Sequence, residues 1–163
     1  MAIKKTQQGF ALLIAVIFMS VMLTLGLALS SLGYKQQVLA SGAVASQYAF
    51  YVADAALECA LHADQKQNLF AYPAIIPPSA PLMMCNGSAP VSATILSYTV
   101  TQWVIFTRLS LDAGTHCADV TVYKPSPNSG TTYIFSQGYD VSCSTVESPD
   151  GARFVSRGLN ARY

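Results

Sequence analysis

Asp54, Glu58 and His62 stand four residues apart, so on a helix they share one face. Two carboxylates and an imidazole at that spacing are the residue types of acid–base catalysis or of a zinc site. No further ligand in the sequence completes a zinc set, and capping or salt-bridging within a folded domain is the simpler role for Asp54 and Glu58. The other histidine, His116, precedes Cys117 and suggests a thiol–imidazole pair, but a cysteine held in a disulfide is not a nucleophile. No P-loop, nucleophile elbow or H-E-x-x-H is present. The chain is therefore read as non-enzymatic, with no cofactor and no metal.

The four cysteines, Cys59, Cys85, Cys117 and Cys143, contain no C-x-x-C pair, which argues against a four-ligand metal site. An even number permits two disulfides once the chain leaves the cytosol. Three connectivities are open. The favoured one pairs Cys59 with Cys85, pinning a loop to a helix, and Cys117 with Cys143, joining neighbouring strands. Each bridge then closes about 25 residues and contributes ~3.5 kcal/mol through loop-closure entropy.

The elements that position these residues follow from charge and hydropathy. Of 163 residues, 52% are apolar and only 10% charged, against roughly 25% charged in an ordinary soluble domain. Nine basic and eight acidic residues leave a net charge of +1. That balance excludes a charged disordered chain and gives no electrostatic reason to expect nucleic acid. Arg153, Arg157 and Arg162 read as a solvated strand face. Charge is also unevenly placed: Lys4 and Lys5 come first and Lys35 next. Between them Phe10 to Leu32 is broken only by Ser20, Thr24, Gly26, Ser30 and Ser31. As a helix this run spans about 34 Å, enough to cross a hydrocarbon core of ~30 Å. It is too long for an ordinary secretory signal, and no cysteine follows it to make a lipoprotein. The leading lysines place the N-terminus in the cytoplasm and the rest of the chain across the membrane. Ser20, Thr24, Ala28 and Ser31 form a small-residue stripe suited to close helix packing in lipid.

With no proline before Pro73, the helix is expected to continue to about Lys66. Tyr48, Val52, Ala55 and Cys59 make one apolar stripe and Phe50, Leu57 and Leu61 a second, both predicted to pack on a sheet. Residues 70–94 carry Pro73, Pro77, Pro78, Pro81 and Pro90 with Asn86-Gly87 and read as an irregular loop. Asn86-Gly87-Ser88 also matches a glycosylation sequon by chance-level criteria. From Thr94 the pattern turns to strands, over Ile95–Leu111, Ala118–Tyr123, Thr131–Val141 and Ala152–Tyr163, with turns at 125–130 and 148–151. A helix followed by about four antiparallel strands is an α+β order.

Lys4-Lys5-Thr6-Gln7-Gln8-Gly9 followed by Phe10-Ala11-Leu12-Leu13-Ile14 resembles the type IV prepilin signal, a basic leader ending in Gly before an apolar helix opened by Phe. Gln47 to Leu61, with an aromatic pair, Ala-Asp-Ala and Glu-Cys-Ala-Leu, resembles a motif of PilX-type minor pilins. The resemblance implies a pilin-like fold, with a long N-terminal helix whose first half is transmembrane. It divides the chain into a leader (1–9), a membrane or filament-core helix (10–33) and a periplasmic or extracellular globular domain (34–163). It also implies cleavage between Gly9 and Phe10 by a prepilin peptidase in the inner membrane, methylation of Phe10, and packing against other pilin subunits at the cell surface. Most members of the family carry Glu at the fifth mature position, where this chain has Ile14. A carboxylate at that depth is retained only where a partner amine exists, so its absence favours a minor, priming or tip subunit over the alternative, drift in a divergent major pilin.

Overall fold

The structure, a computed structural model, describes residues 7–74, 78–85, 89–127 and 129–163. Lys4, Lys5, Pro77, the Asn86-Gly87-Ser88 sequon and Asn128 lie outside the described residues. The chain separates into two compact units, Met1–Gly42 and Ala43–Tyr163. The first is helical throughout its described length. One helix, α1, runs Gln7–Gln65 and supplies both that segment and the helix of the second unit, close to the length expected from the absence of proline.

In the second unit a short hairpin, β1 (Leu82–Met83) with β2 (Val91–Ser92), lies within the stretch expected to be wholly irregular. The main sheet holds β3 (Thr94–Tyr98), β4 (Gln102–Leu111), β5 (His116–Pro125), β6 (Tyr133–Tyr139) and β7 (Ser156–Arg162). They run in sequence order, every neighbour antiparallel. The main sheet thus has five strands rather than four. The Thr- and Val-rich run 95–111 folds back at Val100 and Thr101, where Thr99 Oγ1 accepts the Gln102 amide at 3.0 Å and closes the turn. β-branched residues suit strand and tight turn alike there, so composition alone hid the break. The last strand begins at Ser156, four residues later than expected. A one-turn helix, α2 (Cys143–Glu147), fills part of the β6–β7 connection.

One face of the sheet is apolar, with Trp103, Ile105 and Leu109 from β4, Val120 and Val122 from β5, and Ile134 from β6, all at most 3% exposed. It packs on Val52, Ala56, Leu57, Ala60 and Ala63 of α1, with Phe70 and Met83 closing the end. The period-2 alternation of the strands meets the 3.6-residue period of the helix in this single core. The two expected helix stripes hold only in part, with Cys59 and Leu61 half-buried against the core. Val52 and Leu57 are buried, but Tyr48 and Phe50 are 53% and 43% exposed and Ala55 is also exposed. The packed face instead follows a ridge of alanines, Ala49, Ala53, Ala56 and Ala60, each fully buried. Small side chains let the sheet backbone come close to the helix, and the aromatics are displaced to the flanks.

Polar groups tie the unit together. Asp64, near the end of α1, accepts Lys124 Nζ of β5 on both carboxylate oxygens, at 2.8 and 2.6 Å, and the Tyr163 hydroxyl as well. Across the other face of the sheet, Arg108 donates to Asp119 in a bidentate pair (2.7 and 2.8 Å) between directly opposed β4 and β5 positions. The Tyr139 hydroxyl donates to the same Asp119. Burial first, and then the Asp119 charge, hold the Tyr139 phenol above its ordinary pKa.

Candidate functional site

Two features stand apart from the structural core: the apolar surface of the first half of α1, and a cleft at the flank of its second half.

From Phe10 to Leu39 the large apolar side chains of α1 are all exposed, from 43% at Ile14 to 74% at Met19 and Leu39. The helix is long and apolar enough to cross a membrane, with an 18-residue stretch whose mean hydropathy is 2.7. Three of its hydroxyls are satisfied within the helix. Ser20, Thr24 and Ser31 each donate to the carbonyl three residues back, those of Ile17, Val21 and Ala28, at 2.8–2.9 Å. That arrangement removes the need for water around the stripe of small residues. Phe10 and Ile14 are helical and exposed, and Gly9 lies in the first turns of the same helix.

The cleft lies entirely within Ala43–Tyr163, has a volume of about 390 Å³, and is bounded by α1 and the β4–β5 turn. Tyr48 and Tyr51, one helical turn apart, form its aromatic wall, and Val52 and Ala55 its apolar floor. The Cys59–Cys85 disulfide and Leu111 close the far side. Its polar edge is the β4–β5 turn. Asp112 and Ala113 both hold left-handed backbone conformations, φ 51° and 52°, which cost roughly 1 kcal/mol or more apiece for a residue with a Cβ. The turn carries Asp112 to the cleft next to His116. His116 Nδ1 is 3.2 Å from Asp112 Oδ2 and 2.9 Å from Thr115 Oγ1. The imidazole stacks on the Tyr48 ring, centroids 5.6 Å apart and planes 16° apart. Among the described residues, Asp112 is the only carboxylate lining the cleft, and no lysine or arginine joins it.

Asp54, Glu58 and His62 all lie on α1 and differ in exposure. Asp54 is half-buried while Glu58 and His62 are exposed. Neither carboxylate forms an ion pair among the described residues, so the expected capping or salt-bridging is not seen. No group of three potential metal ligands occurs among the described residues. Cys59 joins Cys85 and Cys117 joins Cys143, with both sequence separations 26. These are the favoured partners, but Cys143 opens α2 instead of lying in a strand. The second bridge therefore pins the β6–β7 connection to β5. Sequence reasoning missed Tyr51 and Asp112. The Asp112-Ala113-Gly114 turn between two strand-like runs was the available signal, since Asp and Gly tolerate left-handed backbone.

No family model, no curated protein and no solved structure matches this chain.

Proposed function

We propose that this chain is a minor subunit of a type IV pilus or a related pseudopilus, a structural protein assembled through its apolar helix. The observation that carries the reading is the exposed segment Phe10–Leu32. It is free of charge, the hydroxyls of Ser20, Thr24 and Ser31 are satisfied internally, and it is continuous with the helix on which the folded sheet is built. In this role the chain enters the inner membrane with its N-terminus in the cytoplasm and is cut between Gly9 and Phe10. Phe10 is methylated by the prepilin peptidase, and the subunit then packs against other pilin subunits. Ile14, in place of the carboxylate that would seek a neighbour's amine, favours a priming or tip position. The two disulfides suit a domain displayed in an oxidising compartment.

A second reading, a signal-anchored or secreted surface binding module outside any filament, is favoured by the aromatic cleft, a feature that assembly through the helix does not require. Mass spectrometry of the mature N-terminus from native membranes separates the two. A chain beginning at N-methylated Phe10 is expected. A chain beginning near Ser31 or Ser46, or retaining Met1, would overturn the pilin reading and leave the surface module.

A further inference from the structure

We propose that the cleft between α1 and the β4–β5 turn binds a quaternary ammonium group. The inference rests on side chains within Ala43–Tyr163 and stands whether or not the chain enters a filament.

Four observations narrow the ligand. The volume of about 390 Å³ falls within the range of small-molecule sites. Tyr48 and Tyr51 are 53% and 65% exposed, so their rings are available to a ligand, and one side of Tyr48 is already backed by the His116 imidazole. Aromatic rings carry electron-rich faces that attract cations, and cages of such rings are a recurring solution for trimethylated nitrogen. The remaining wall, made by Val52, Ala55, Leu111 and the disulfide, is apolar. Finally, Asp112 supplies a carboxylate whose side chain is 75% exposed, held at the rim by a turn with two left-handed residues.

Charge and hydrogen bonding then decide between candidates. An anion would meet Asp112, which has only the His116 imidazole beside it and no lysine or arginine lining the cleft among the described residues. A primary ammonium brings three N–H donors; Asp112 accepts only at the rim, and the wall of Val52, Ala55, Leu111 and the disulfide has no side-chain oxygen or nitrogen to accept the others. A trimethylammonium group has positive charge and no donors. Its methyls suit the floor, its charge suits the tyrosine faces and Asp112, and nothing on it is left unsatisfied. A neutral tert-butyl group has the same shape and lacks only the charge, which makes it the discriminating control.

The test uses the full chain in a neutral maltoside detergent, titrated with choline and, separately, with its uncharged isostere 3,3-dimethylbutan-1-ol, with binding followed by calorimetry and ligand-observed NMR. Choline is expected to bind about fivefold or more tightly than the isostere. Asp112→Asn, which suits the left-handed backbone of that position, is expected to narrow choline's advantage over the isostere while leaving the isostere unchanged. Tyr51→Leu is expected to weaken choline by about fivefold, and Tyr51→Phe to retain it. A variant that had lost its fold would lose both ligands, which the isostere reveals. Equal binding of the two ligands to the wild type, no binding of choline, an equal effect of Asp112→Asn on both ligands, or wild-type affinity in both Asp112→Asn and Tyr51→Leu would each overturn the proposal.

Discussion

Gly138 of β6 sits directly against the backbone of Ala53 in α1. A Cβ built at Gly138 would overlap the Ala53 amide nitrogen and the Ala49 carbonyl oxygen, and would lie 3.0 Å from Ala53 Cα. Sheet and helix touch there backbone to backbone, and neither side can yield by rotating a side chain. Gly138→Ala is therefore expected to destabilise the domain by about 3 kcal/mol, at the upper end of ordinary overpacking costs. Chemical denaturation of wild type and variant measures it. Gly158→Ala is the control: there the added methyl crowds the Phe135 ring, a side chain that can shift, and meets the Ser136 carbonyl oxygen only at ordinary contact distance, 3.8 Å, and a loss below about 1 kcal/mol is expected.

Asp64 has a side chain only 1% exposed and holds Lys124 and Tyr163 together. Removing one member of a buried pair leaves the other charge desolvated. Asp64→Ala is expected to cost about 3–5 kcal/mol. The double variant Asp64→Ala/Lys124→Met, measured in the same unfolding assay, should recover a substantial part of that loss, because it removes the stranded ammonium.

Tyr163 gives the domain an alkaline limit. Burial first, then the hydrogen bond to Asp64, raise its phenol above the ordinary value of 10.0. The folded state thus keeps a proton that the unfolded chain releases. This contribution is fully present below about pH 10 and is lost as the pH rises beyond it. Unfolding free energy measured from pH 8 to 11 should fall more steeply in the wild type than in Tyr163→Phe. Parallel profiles would rule out this role for the phenol.

Each disulfide is expected to contribute about 3.5 kcal/mol, since both span 26 positions. Cys59→Ala/Cys85→Ala and Cys117→Ala/Cys143→Ala should each lower stability by that order. Only the first should disturb the cleft, because that bridge lines it and the other does not. Unfolding curves read the stability. Tyrosine NMR signals of the cleft read the local change.

Leu23 lies near the middle of the apolar run and is 67% exposed. If that run is embedded in lipid, Leu23→Arg carries an insertion penalty of about 2.5–3.5 kcal/mol. The variant is expected to shift from the membrane fraction toward the carbonate-extractable fraction in cell fractionation, while Leu39→Arg, beyond the run, should remain with the membrane.

Much of this architecture was legible in the amino-acid order. The long helix followed from an apolar run and the absence of proline before Pro73, and the antiparallel sheet from alternating β-branched and aromatic segments between turn residues. Both are signals of local periodicity, and a side chain's immediate neighbours in the chain are enough to express them. The favoured cysteine partners emerged from spacing and element order in the same way. The number of strands was less legible, because Val100 and Thr101 are strand-forming residues used in a turn.

What only the tertiary structure decided was which face of α1 meets the sheet and what gathers at its flank. The helix offers aromatic stripes and an alanine ridge, and periodicity ranks the aromatic stripes as the more hydrophobic. The ridge is chosen because Gly138 brings the β6 backbone against Ala49 and Ala53, a contact that a large side chain would prevent. Tyr48 and Tyr51 are turned outward as a result, and a strained turn some 60 residues further along the chain brings Asp112 and His116 beside them. Close packing compares volumes across elements far apart in the chain. Local pattern holds no record of that comparison.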